Sequence, residues 1–287
     1  MKVIIDTDIG DDIDDALALA LALSSPELEV LAVTTVYGRV DVRAKLAAKI
    51  LKVYGREDIP VAMGCSKPFI NPPPSYEPNQ AAVLSPGDRF SNIVSDHAVD
   101  LIVNILHEEP DVTVITLGPL TNLAMAILKD RQAFDKARLV MMGGCLTRPI
   151  IEYNISRDPE ASSIVLTSGI PTILVGLDVT LKCRMPRELL ELFDRGSKPQ
   201  VKLLGEYLRL WRKATGLIPI LHDPLAVAVS FREDMVKKVP KHVAVELRGE
   251  YTRGLTVEIP GKEPNVEACV EVAVEKFLDF YKSRVLG

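Results

Sequence analysis

The chain has 287 residues, of which 47% are hydrophobic but only 5% aromatic, a balance that suits one aliphatic, sheet-centred α/β domain over residues 1–287. A formal net charge of −5 and the lack of any Lys/Arg-rich run argue against a nucleic-acid-binding surface. No apolar run reaches the roughly 18 residues a membrane helix needs, and four dispersed cysteines (Cys65, Cys145, Cys183, Cys269) make no CxxC pair or disulfide framework. With no charged-then-apolar leader before the first strand, a cytoplasmic protein without a membrane partner is expected.

Short β-branched runs alternate with helical patterns. Strands are predicted at Val3 to Asp6, Val30 to Val36, Val112 to Leu117, Leu139 to Met142 and Thr172 to Leu177. Helices are predicted at Asp14 to Leu23, Val42 to Tyr54, His97 to His107, Leu120 to Leu128, Pro159 to Thr167 and Gln200 to Thr215. This order implies right-handed crossovers and a Rossmann-like open α/β fold, with a mostly parallel sheet between helical layers. His242 to Leu247 and Thr256 to Ile259 read as a late strand pair, and Glu267 to Ser283 as a closing amphipathic helix. Phe69 to Arg89 contains Pro72-Pro73-Pro74, Pro78, Pro86 and Gly87; it reads as an irregular loop serving as lid or pocket wall.

The densest chemistry lies where the first strand meets the first helix. Asp6, Asp8, Asp11, Asp12, Asp14 and Asp15 crowd into ten residues, while Lys2 is the only basic residue among the first 38. A helix N-terminus offsets about half a charge, so the cluster calls for a hard cation held by carboxylate and carbonyl oxygens. Zinc lacks nearby Cys or His ligands. An EF-hand is excluded because Asp11 stands where its Gly would be and Leu17 where its Glu would be. Between calcium and magnesium the residues lean weakly to calcium. Ligands of open α/β sheets bind beyond the carboxyl ends of the strands, so Val36 to Arg39, Thr116 to Pro119, Gly143-Gly144 and Asp178 are expected near the same pocket.

Four collinear segments resemble the inosine–uridine preferring nucleoside hydrolase family over nearly the whole chain. They are Asp6-Thr-Asp8-Ile-Gly10 with Asp14-Asp15-Ala-Leu-Ala, Leu117-Gly-Pro-Leu-Thr-Asn122, Glu152-Tyr-Asn154, and His222-Asp-Pro-Leu-Ala226. The resemblance implies hydrolysis of a ribonucleoside N-glycosidic bond with Ca2+ in the site, held by Asp8, Asp15, the Leu117 carbonyl and Asp223. It further implies that Asp14, Asn154 and Glu152 bind the ribose hydroxyls, and that Asp8 is the general base towards a calcium-bound water. Such chemistry is coherent: a carboxylate within reach of an acidified water takes its proton as an oxocarbenium-like sugar develops.

His222 is the candidate acid for the leaving base, because histidine titrates near neutrality; the bland reading is a histidine that only orients Asp223. Tyr207 and Trp211 stand one helical turn apart and so share a face. In the family this helix borders the base pocket, and stacking there would favour purines; core packing is the rival reading. Departures are the two extra residues between Gly10 and Asp14, and Arg39, a cation that could reach a 5′ substituent or pair with the acidic loop. A non-catalytic nucleoside- or calcium-binding paralogue, or a hydrolase of a modified riboside, is the alternative. A phosphohydrolase using a nucleophilic aspartate fits poorly, since Ile9-Gly10-Asp11 follows Asp8. A homodimer or homotetramer is the expected assembly.

Overall fold

The computed structural model describes residues 1–287. In chain order the strands are β1 (Lys2–Thr7), β2 (Glu29–Thr35), β3 (Val61–Met63), β4 (Thr113–Thr116), β5 (Arg138–Met142), β6 (Thr172–Val175), β7 (Val236–Lys241), β8 (Val243–Val245), β9 (Thr256–Glu258) and β10 (Val266–Val272). Eight of them form one sheet in the order β3-β2-β1-β4-β5-β6-β10-β7, and β8 and β9 form a separate antiparallel pair. Every pairing from β3 to β10 is parallel; β7 alone runs antiparallel, against β10.

The helices are α1 (Asp14–Leu23), α2 (Val40–Val53), α3 (Ala98–Glu108), α4 (Thr121–Lys129), α5 (Tyr153–Arg157), α6 (Pro159–Leu166), α7 (Leu177–Thr180), α8 (Arg187–Arg195), α9 (Pro199–Thr215), α10 (His222–Phe231) and α11 (Val274–Val285). They cover both faces of the sheet. On β1, Val3 and Ile5 belong to one apolar cluster and Ile4 to the other, as the two-residue period of a strand requires. Both faces are therefore dry, which accounts for the nearly continuous apolar runs of the central strands. No helix is long and apolar enough to cross a membrane.

The expected closing helix at Glu267 to Ser283 is corrected. Residues Val266–Val272 are a central strand, and the helix begins only at Val274. Tertiary pairing overrides the helical pattern there. Ala268 faces Val239 and Cys269 faces Lys238 across the ladder, while Glu267 and Glu271 pair with Lys238 and Lys237 of β7. Strand β7 and the short β3 and α8 were not expected.

The Pro-rich segment is irregular apart from one 3-10 turn at Asn79–Val83. No residue of it lines the main pocket. It braces the acidic loop from outside instead: Gln80 N donates to the Gly10 carbonyl at 3.1 Å, Asn79 Nδ2 to the Asp11 carbonyl at 3.1 Å and Gln80 Nε2 to the Asp12 carbonyl at 2.5 Å.

Candidate active site

A pocket of about 410 Å³ opens beyond the carboxyl ends of the neighbouring strands β1, β4, β5 and β6, where Asp8, Leu117, Met142 and Leu177 line it. Two glycines let its floor close. Gly10 has φ +131°, and a Cβ there would stand 2.7 Å from Pro78 Cβ; a side chain would both strain the backbone and push the brace away. A Cβ on Gly118 would stand 2.7 Å from Asp8 Oδ1 and 2.9 Å from Asp8 N, so only glycine lets the turn after β4 pass this close to Asp8.

Helices α1 and α10 start side by side, and their first turns supply the rest of the acid. Carboxylate oxygens of Asp14, Asp15 and Asp223 lie within 4.8 Å of one another, all buried. Asp14 Oδ2 accepts from Asp223 N at 3.3 Å, and Asp15 Oδ1 accepts from Thr7 Oγ1 at 2.5 Å. The Leu117 carbonyl accepts from Asn154 Nδ2 at 2.7 Å. That amide also donates to the Met142 carbonyl at 3.3 Å, which leaves Asn154 Oδ1 to accept from a ligand hydroxyl.

One buried cation opposes this charge, and sequence reasoning missed it. Arg43, on α2 and only 1% exposed, sends Nε to the Tyr37 carbonyl (2.7 Å), Nη1 to the Asp8 and Ile9 carbonyls, and Nη2 to Asp11 Oδ2 (2.8 Å). Its signal was an Arg on the apolar face of the predicted Val42 to Tyr54 helix. Asp11 is thereby absorbed by Arg43 and by Tyr76 Oη at 3.2 Å, while Asp12 Oδ1 accepts from Ile13 N.

The remaining carboxylates stay uncompensated. Burial first, then repulsion from Asp12 and Asp15, holds Asp14 well above the ordinary carboxylate range. Burial and Asp8 do the same to Asp15, and burial with Asp14 and Asp15 to Asp223. Asp8 is pushed up to about 7 by burial despite the nearby Arg43. An all-oxygen set in this condition fits a hard divalent cation.

A stability prediction follows from the sign of these shifts. Without a cation, the folded chain binds protons on these carboxylates at pH values where the unfolded chain, titrating near 4, has already lost them. Stability of the chelator-treated protein therefore rises as pH falls from 8 to 6. Adding a divalent cation raises the melting temperature most at pH 8. Thermal melts across pH, with and without chelator, check this; a chelated protein that loses stability on going from pH 8 to 6 overturns it.

The other predicted residues divide. Glu152 lines the pocket while capping α5: Oε1 accepts from Asn154 N (2.9 Å), and Oε2 from Ile155 N (3.0 Å) and Gly144 N (3.2 Å). Trp211 lines the pocket from α9 and is 4% exposed. Its helical neighbour Tyr207 does not reach the pocket; it is fully buried and donates to the Leu46 carbonyl at 3.2 Å. Arg39 lies outside the pocket too, an exposed residue forked onto Asp41 at 2.9 Å. Asp178 is used as a cap for Leu146 N and Thr147 N. His222 lines the pocket with Nδ1 2.7 Å from Thr180 Oγ1, and burial pushes its pKa down to about 4, so the ring is neutral at pH 7. Tyr153, between Glu152 and Asn154, also lines the pocket, with Arg157 stacked 4.2 Å from its ring.

An open α/β sheet with a carboxylate-walled, cation-fitting pocket at its switch edge defines a small-molecule site, and comparison with known proteins names the class. The family model described as inosine–uridine preferring nucleoside hydrolase matches residues 3–279. Pyrimidine-specific ribonucleoside hydrolase RihA of Citrobacter koseri is 32% identical, covering 99% of this chain and 98% of its own. A plant nucleoside hydrolase (PpNRh1) superposes with TM-score 0.89 at 30% identity, covering 100% of this chain and 99% of its own. The purine-preferring ribonucleoside hydrolase of Gardnerella vaginalis superposes with TM-score 0.88 at 28% identity, over 100% and 98% respectively. The chain belongs to the inosine–uridine preferring nucleoside hydrolase family. It is a ribonucleoside hydrolase of a metal-dependent family, with a small-molecule nucleoside as substrate.

Proposed function

We propose that the chain cleaves the N-glycosidic bond of ribonucleosides to ribose and free base, with Ca2+ held by Asp8, Asp15, the Leu117 carbonyl and Asp223. The observation that carries this reading is the gathering of Asp14, Asp15 and Asp223 within 4.8 Å on the wall that Asp8 shares. When bound, the ion would supply positive charge that lowers the pKa of a water beside it. Asp8 would offer a carboxylate oxygen as the general base that takes the proton from the attacking water. Asp14 and Asn154 Oδ1 hold ribose hydroxyls; Glu152 fixes the backbone of Asn154 and adds its charge to the sugar side of the pocket. These carboxylates favour the positive charge that develops on the ribose ring. His222 faces the departing base as a neutral ring.

Base preference is the finer question. Trp211 on the pocket wall offers the one indole face of the chain, and a purine presents more surface to it than a pyrimidine. Purine preference is therefore our reading, although the named relatives include pyrimidine-specific and purine-preferring enzymes alike. Trp211→Ala is expected to lower kcat/KM for inosine and guanosine about 10-fold, the loss of roughly one stacking contact, and to change uridine about 3-fold or less. An unchanged purine-to-pyrimidine ratio would assign Trp211 to the core.

The direct test is release of reducing sugar from inosine, adenosine, guanosine, uridine and cytidine in the presence of calcium. The rate order reads the base preference. Silence with all five would move the proposal to a modified riboside.

A further inference from the structure

Thr180 is the last residue of α7, fully buried and absent from the pocket wall. Its Oγ1 stands 2.7 Å from His222 Nδ1, and the hydroxyl makes no other hydrogen bond. Two arrangements satisfy that distance. If Nδ1 carried the hydrogen, it would donate to Oγ1 and leave the buried Thr180 hydroxyl hydrogen without an acceptor, at a cost of about 1–3 kcal/mol. If the hydroxyl donates to Nδ1, every buried group is satisfied and the neutral ring must carry its hydrogen on Nε2. Nε2 has no partner within the protein, and His222 lines the pocket, so Nε2 is the nitrogen left to face a ligand.

We propose that Thr180 is a positioning residue that fixes the tautomer of His222, so that a neutral imidazole presents Nε2–H to the leaving base. This rests on the reading of His222 as the group beside that base. Its consequence is specific: as the C1′–N bond breaks and its electron pair moves onto the base, His222 donates a hydrogen bond to the base. The opposite tautomer would aim a lone pair at the same developing negative charge and repel it. The partnership is not local in sequence, since Thr180 comes from the segment after β6 and His222 from the first turn of α10.

The test is nitrogen NMR of the calcium-loaded enzyme with labelled histidine. The chain has four histidines, and loss of one signal set in His222→Gln assigns the one of interest. In the parent enzyme Nδ1 of His222 is expected to show the shift of a bare, hydrogen-bonded ring nitrogen, and Nε2 that of a protonated one. Thr180→Val keeps the shape and removes the hydroxyl. It should yield a tautomer mixture and lower kcat about 10-fold, the scale of one hydrogen bond, with KM nearly unchanged. Thr180→Ser should restore both readouts.

A proton on Nδ1 in the parent enzyme overturns the proposal. So does a Thr180→Val enzyme with unaltered shifts and kcat, or one that loses only thermal stability and KM. Wild-type turnover by His222→Gln would instead sink the role of His222 beside the base and leave the tautomer assignment standing, because the NMR readout does not depend on turnover.

Discussion

Replacing Asp8 with Asn is expected to lower kcat by about 10³-fold or more, the largest catalytic effect in the chain. General-base catalysis contributes about 10²–10⁴-fold, and the amide keeps the size of the side chain while removing its ability to take a proton. Asp8 is suited to the task by position: 6% exposed, pushed up to about 7 by burial, and pressed against Gly118 so closely that a Cβ there would collide with it. Asp8→Ala would remove a proposed metal ligand as well and should be at least as severe. Calcium binding by calorimetry separates the two losses. An Asp8→Asn enzyme that still binds calcium and substrate yet turns over at less than a thousandth of the parent rate supports the base role. Retention of more than about a tenth of the rate assigns proton removal elsewhere, since one decade is about 1.4 kcal/mol. His222→Ala should cost most for nucleosides with poor leaving bases, so equal small losses from Asp8 and His222 variants would sink both assignments.

Much of this architecture was legible because central strands buried on both faces read as short β-branched runs, and because the acid cluster sits at one strand–helix junction. What the sequence hid is non-local. Val266–Val272 carries two glutamates four residues apart, a spacing that suits a helix face as well as a strand face; laddering to β6 on one side and β7 on the other decides for a strand. The Tyr207–Trp211 pair shares a face by spacing, yet only Trp211 meets the pocket, while Tyr207 one turn earlier is sealed against the Leu46 carbonyl of α2. Arg39 offered a cation beside the predicted pocket, but Asp41 two residues on captures it at the surface. The charge that does counter the acid comes from four residues further along, on the buried side of the same helix.

That residue yields the largest expected stability effect. Arg43→Met is expected to destabilise the fold by about 3–5 kcal/mol, the scale for removing one partner of a buried charged network. The thioether side chain fills similar space, so the loss reflects polarity rather than a cavity. Four acceptors lose a donor at once: the carbonyls of Tyr37, Asp8 and Ile9, and Asp11 Oδ2, which keeps only Tyr76 Oη. Tyr37 is held at φ +68°, a left-handed conformation uncommon for an aromatic residue, and the Arg43 Nε bond to its carbonyl is part of what keeps that turn in place. Arg43→Lys retains a charge but not the planar fork, and a single ammonium cannot serve the four acceptors in their fixed positions. It should recover only part of the loss. Denaturant melts of the calcium-loaded protein measure both. The acidic loop is also the wall of the pocket, so calcium affinity should fall in parallel with stability, because the cation and Arg43 oppose the same charge. An Arg43→Met protein within about 1 kcal/mol of its parent would mean that water satisfies these carbonyls as well as the guanidinium does.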